Sequence, residues 1–330
     1  MRPATTLGPV ELQRLRNVTK ATDPVLKAGF ADLTKKARLD YKPGGLETVD
    51  IGPYGTGIGH QVWMDDTMQV WCHALMYVAT QRTSHLDKAL EITMDWVNKC
   101  KVFKGSNAPL EMAWGGTLLV RSICLLSTAV PRQVTTKFNK FLDDIVLPTL
   151  NQRYNEIYKW KNNWILTIIE CNIQICLYTN KTDSITKYVT DFQNTVAASV
   201  DPVTGLNTDS LRGDPYHFCF ALGSQMQILE MLKHQNIPIS QKTKDLIKKS
   251  FVTHAKFLNG ECGIIYNCER YWFTGCAWEI AHNYFNKSLG DLEQLLSKNR
   301  PETLTFNWGP GWLHYNGGSD TPIPHTACVI

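Results

Sequence analysis

No run of about 20 consecutive apolar residues occurs in these 330 residues, so no segment is a candidate membrane-spanning helix. The first residues, MRPATTLGPVELQRLRN, lack the apolar centre of a secretory leader; the chain as it stands is expected to be soluble, and its compartment stays open. An excess of one charge is missing too. Against 34 Lys and Arg stand 30 Asp and Glu, and the resulting +4 is too mild and too dispersed to predict a nucleic-acid partner, though it suits an acidic ligand. No two of the ten cysteines have the Cys-x-x-Cys spacing of a structural zinc site, so no metal is implied. Sustained strand-type alternation is absent, and no Gly-, Pro- or Ser-rich linker divides the middle of the chain.

What is present is apolar material at helical spacing. With 43% hydrophobic residues the chain holds ample core, and 1–330 reads as one domain. Met68, Trp71, Cys72, Leu75 and Val78 form one stripe, and Leu86, Ala89, Leu90, Met94 and Val97 the next. Further helices are predicted near 111–129, 132–147 with an end at Pro148, 163–179, 184–198, 216–234, 240–258, 271–286 and 290–298. Cys72, Cys124, Cys171, Cys176 and Cys219 fall inside these patterns, where free cysteine acts as a small hydrophobe. Cys262 and Cys268, with Cys276 close behind, bracket a loop that a single disulfide would clamp. Asn17, Asn180 and Asn286 head glycosylation sequons, relevant only in a secreted protein.

Short connections make successive helices antiparallel, and about five or six hairpins of roughly 50 residues predict an all-α ring or solenoid. In such a ring every second helix starts at the same rim. Those starts carry GHQVWMDD, EMAWGG, KWKNNW, LRGDPYHF and CERYWF, whereas the intervening helices open on plain caps such as RTSHLD and NKTDS. Aromatic, amide and basic groups therefore gather on one face, where helix N-termini also favour an anion. Aromatic faces beside anion-binding groups suit a charged sugar chain.

The stretches DDTMQVWCHALMYVATQRTSHLDKALEITMDWV, LEMAWGGTLLVRSICLL, NNW at a helix start and VDPVTGLNTDSLRGDPYHFCFALGSQMQILEML resemble the alginate lyase superfamily of polysaccharide lyases across about 60–285. That resemblance implies an (α/α) toroid, no cofactor, and cleavage of a uronic-acid polymer by β-elimination. Such a reaction needs donors that neutralise the uronate carboxylate, a base for the C5 proton and an acid for the leaving oxygen. On the resemblance, Asn163 with Asn162 beside it is the neutralising amide, Arg212 the arginine and Tyr216 the catalytic tyrosine, with His217 adjacent. The plain alternatives are a helix cap for Asn162, a surface salt bridge for Arg212 and packing for Tyr216.

Two features depart from the family. Its best-known members follow the asparagine pair with a catalytic histidine, whereas this chain has Trp164, so the base falls to Tyr216, His217 or His60. The step from Arg212 to Tyr216 is also shorter. Both point to a distant branch whose substrate need not be alginate. His60, Trp63, Trp114, Trp164, Tyr266, Arg270 and Trp272 are the expected stacking faces and donors along the groove. His60 reads equally as a turn residue, Asp65 and Asp66 as helix N-terminal charges, and the tail NWGPGWLHYNGGSDTPIPH either as a cover over the groove or as a plain surface loop. Two rivals stay open: an unsaturated uronyl hydrolase using an aspartate of VWMDD, and a non-catalytic carbohydrate-binding or structural ring.

Overall fold

The computed structural model describes residues 5–212, 217–261, 277–286, 289–305 and 308–316. Helices dominate them. After α1 (Pro9–Asn17) and α2 (Pro24–Lys36), the ring proper begins with α3 (His60–Thr80), α4 (Thr83–Lys99) and α5 (Ala108–Leu125). The chain continues through α6 (Arg132–Phe141), α7 (Leu147–Asn151), α8 (Tyr154–Tyr158), α9 (Asn163–Thr179) and α10 (Thr182–Ser199). It closes with α11 (His217–His234), α12 (Gln241–Leu258), α13 (Trp278–Tyr284) and α14 (Gly290–Asn299).

The alternation predicted from loop lengths is realised. α3 packs on α5, α5 on α9, α9 on α11 and α11 on α13, so these helices form an inner ring, with α4, α10 and α12 lying against it from outside. Burial separates the two sets. The inner α5 and α9 are buried on nearly every side, whereas the outer α4 and α10 bury a single stripe, Ala89, Ile92 and Trp96 on α4 among them. The architecture is an all-α (α/α) toroid.

Local chemistry moves several boundaries. Gly59, at φ +97°, takes a left-handed turn open to glycine, and α3 starts directly after it at His60, two turns before the first residue of the Met68–Val78 stripe. Pro109 fits the first turn of α5, which begins at 108. The helix expected to stop at Pro148 instead runs on to Asn151 through a π turn at Leu142–Val146, whose wider backbone spacing absorbs the missing proline N–H. A small sheet also forms, with β1 (Thr48–Ile51) antiparallel to β2 (Gly57–Ile58) and parallel to β3 (Val102–Lys104). Its strands are too short for alternation to reveal them.

Three observations tie the ends of the described chain to the ring. Arg14 donates to the Leu313 carbonyl and, at 2.6 Å, to Asn316 Oδ1. Trp312 packs on Gly29 so closely that a Cβ there would lie 2.4 Å from the indole. Trp71 Nε1 donates to the Gly309 carbonyl at 3.2 Å. The described part of the tail is thus core: Trp308 and Trp312 are buried, which corrects the surface-loop reading. Cys72, Cys124, Cys171, Cys176 and Cys219 sit in the inner helices as thiols rather than in disulfides, as does Cys100 after α4, while Cys262, Cys268 and Cys276 lie outside the described residues. No helix among the described residues is long and apolar enough to cross a membrane.

Candidate active site

Helix α9 opens as its sequence predicts. Asn162 is the N-cap, its Oδ1 accepting from Trp164 N at 3.2 Å. Asn163 does something else. Its backbone N–H donates to Asp209 Oδ2 at 2.8 Å and its side-chain Nδ2 to Asp209 Oδ1 at 2.8 Å, both within the interior. One carboxylate therefore grips two groups of one residue, and the amide cannot rotate without breaking a charge-assisted bond.

Asp209 belongs to a 3₁₀ turn, Thr208–Arg212, that is itself pinned. Thr208 Oγ1 donates to the Lys161 carbonyl at 3.1 Å. Ser210 N donates to Asn207 Oδ1 at 3.0 Å, and the Ser210 hydroxyl lies 2.5 Å from His254 Nε2. Burial lowers the His254 pKa to about 4 and keeps the ring neutral, with Nδ1 donating to the Ser250 carbonyl at 2.7 Å. The turn that supports Asn163 rests on α12.

Beside this junction lies a pocket of about 380 Å³ lined by Trp160, Asn162, Trp164, Thr208 and Asp209. Trp160 and Trp164 stand edge to face with centroids 5.4 Å apart, and Trp160 is 41% exposed, so an indole face is open to a ligand. The Arg153 guanidinium sits 5.7 Å from the Trp160 ring.

The neighbouring inner helices bring further groups to the same end. His60, on the first turn of α3, pairs through Nδ1 with Glu111 Oε2 on the first turn of α5 at 2.9 Å. Burial raises the Glu111 pKa, and His60 acts against that rise. One turn along α5, Trp114 meets Phe220 of α11 at 5.5 Å, and Phe220 in turn meets His217 at 5.9 Å and Trp308 at 5.2 Å. Phe220 and Trp308 went unread in the sequence. Only the tail's tryptophan richness hinted at the second.

The structure thus brings Asn162 and Trp164 to the pocket wall with Asp209, leaves Asn163 buried behind that wall in the grip of Asp209, and links Trp114 with His217 through Phe220. His60 stands with Glu111. Trp63 is corrected: it is wholly buried, donates to the Glu111 carbonyl at 2.8 Å and packs edge to face on Trp96 and Phe103, so it offers no face to a sugar. Trp114 is only 8% exposed, which leaves little of its ring for stacking. Tyr216, Tyr266, Arg270, Trp272 and the side chain of Arg212 lie outside the described residues.

Asp66 is corrected as well. It is buried in the second turn of α3 and accepts from Tyr41 Oη at 2.5 Å, Gly44 N at 3.0 Å and Trp96 Nε1 at 2.7 Å. That is a structural clamp on the segment before β1, neither a helix-dipole charge nor an acid open to substrate. Among the described residues no three His, Cys, Asp or Glu side chains are grouped to hold a metal.

No protein-family model matches the chain, and no curated protein does. A solved structure does. The crystal structure of an alginate lyase from Bacteroides ovatus superposes with a TM-score of 0.67, covering 95% of this chain and all of the other, at 16% identity. The fold is that of an alginate lyase. At this identity the alginate-lyase likeness speaks for the backbone and for the order of helices, and it leaves the chemistry to the residues themselves.

Proposed function

We propose that the chain is a polysaccharide lyase that cleaves a uronic-acid polymer, of the alginate or glucuronan kind, by β-elimination. The observation that carries this reading is the pocket at the start of α9, where an open indole adjoins Asn162 and the Asp209 carboxylate that holds the Asn163 amide directly behind it. A uronate seated beside it meets the second N–H of Asn163 Nδ2, together with Arg212 and His217, as donors to its carboxylate. Those donors lower the cost of carbanion character at C5. Tyr216 or His217 then takes the C5 proton, the electron pair forms the C4–C5 double bond, and the bond from C4 to the glycosidic oxygen breaks. That oxygen takes a proton from Tyr216 or its neighbour, and the sites regain their starting protonation through water.

Asn162, Trp164 and His60 are assigned to holding the sugar chain, with Tyr266, Arg270 and Trp272 as the remaining donors and faces. Of the two aspartates in VWMDD that the hydrolase alternative could use, Asp66 is spent on three structural hydrogen bonds and only the exposed Asp65 is left.

The test is incubation with alginate, glucuronan, hyaluronan and chondroitin while following the ultraviolet absorbance of a double bond conjugated to a carboxylate. At least one polymer is expected to yield it, and Asn163→Ala and Tyr216→Phe to lose it by about a hundredfold or more, the scale of one missing transition-state donor. Full activity in both variants would remove this site from the reaction.

A further inference from the structure

Both oxygens of the buried Asp209 carboxylate accept from Asn163, one from its backbone and one from its side chain. We infer that Asp209 is a positioning residue for the elimination: it sets the rotamer and the amide orientation of Asn163 and couples them to the turn Thr208–Arg212. This rests on the function proposed above.

Three facts support it. An asparagine amide has two orientations of similar shape and opposite polarity, and an anion as the partner of Nδ2 allows only one, with Oδ1 turned away. The second bond, from the Asn163 backbone, fixes the carboxylate against the helix start, so the acid cannot swing aside to release the amide. And the acid's own support is external to α9: Thr208 on Lys161, and Ser210 on Asn207 and His254 of α12. A helix start that needed only a cap already has one in Asn162. The extra carboxylate goes to the amide on which the reaction depends.

In Asp209→Asn a single carbonyl oxygen faces two donors, and its new NH2 opposes one of them. The amide of Asn163 then loses its fixed orientation. The expected result is a fall in kcat of about tenfold to a hundredfold with KM within about threefold, and side-chain NH2 resonances of Asn163 that lose protection from solvent exchange. The exchanged pair Asn163→Asp with Asp209→Asn restores complementary hydrogen bonds. It should regain the melting temperature lost in Asp209→Asn and stay inactive, since a carboxylate at 163 repels the uronate.

A merely structural role predicts a lower melting temperature with unchanged kcat in the folded fraction, and that outcome overturns the inference. So does unaltered NH2 protection in Asp209→Asn. If the wild-type protein eliminates no polymer, the functional reading fails by itself, and the resonance measurement still decides whether Asp209 orients Asn163.

Discussion

Replacing Arg121 by Met is expected to destabilise the protein in a strongly pH-dependent way. Arg121 of α5 is fully buried, donating to Glu170 of α9 at 2.5 Å and to Gln227 of α11 at 2.7 Å, while Gln227 Nε2 also donates to Glu170 at 3.0 Å. Three inner helices thus meet at one ion pair. Burial already pushes the Glu170 pKa up to about 7 against the pull of Arg121. Methionine fills much of the volume and leaves an uncompensated buried carboxylate, a change worth about 3–5 kcal/mol when that group is ionised. The sign follows from linkage. An acid whose folded pKa lies above its unfolded value stabilises the fold at low pH and loses that contribution as pH rises from the ordinary carboxylate range through the folded value. At about pH 5 the variant should therefore lose only its hydrogen bonds, about 1–3 kcal/mol, and near pH 8 the full amount. Urea unfolding followed by tryptophan fluorescence at the two pH values measures both. Equal losses at the two values, or a loss under about 1 kcal/mol near pH 8, would refute the reasoning.

Three further outcomes follow from the geometry. Asp66→Asn should cost about 1–3 kcal/mol in thermal unfolding, through the mismatched donors of Tyr41, Gly44 and Trp96, yet leave turnover per folded molecule intact; a specific loss of turnover would return Asp66 to the site. Trp160→Ala should raise KM about twofold to tenfold with little change in kcat, as expected for one lost stacking face, and should reduce the fluorescence quenching by bound oligosaccharide to the share that Trp164 contributes. His73 and His254 have pKa values lowered to about 4 by burial, so each contributes stability that is lost as pH falls from 6.5 to about 4, up to about 3 kcal/mol per ring. Phe in place of His73 should flatten that acid limb in a denaturation series, against the opposite slope from Glu170.

The ring was legible because its inner helices are long, apolar and separated by short turns, and α9 was bounded at 163–179 by its cap and by Asn180 in the left-handed region. Alternation alone puts Asn163, Trp114 and His60 on helix starts of one ring. What stayed hidden were side-chain partnerships between distant segments. Nothing local marks Asp209 as the holder of Asn163, 46 residues away, or Asp66 as the acceptor for Trp96. Trp63 misled for the same reason: a tryptophan in the first turn reads as a rim residue until Gly115 of the facing helix is seen to admit its indole, where a Cβ would lie 2.3 Å from Nε1. Helix α1 and the tail were missed as partners because their contact, Arg14 with Leu313 and Asn316, spans almost the whole chain.

Cleavage chemistry is the central claim, and the mass of the new non-reducing end tests it most directly. Products of uronate polymers digested with the wild-type protein should carry ends lighter by one water than hydrolysed ends, with the matching ultraviolet absorbance, and Asn163→Ala should produce none. Ends of hydrolysed mass, or unsaturated ends formed undiminished by Asn163→Ala, would contradict the account.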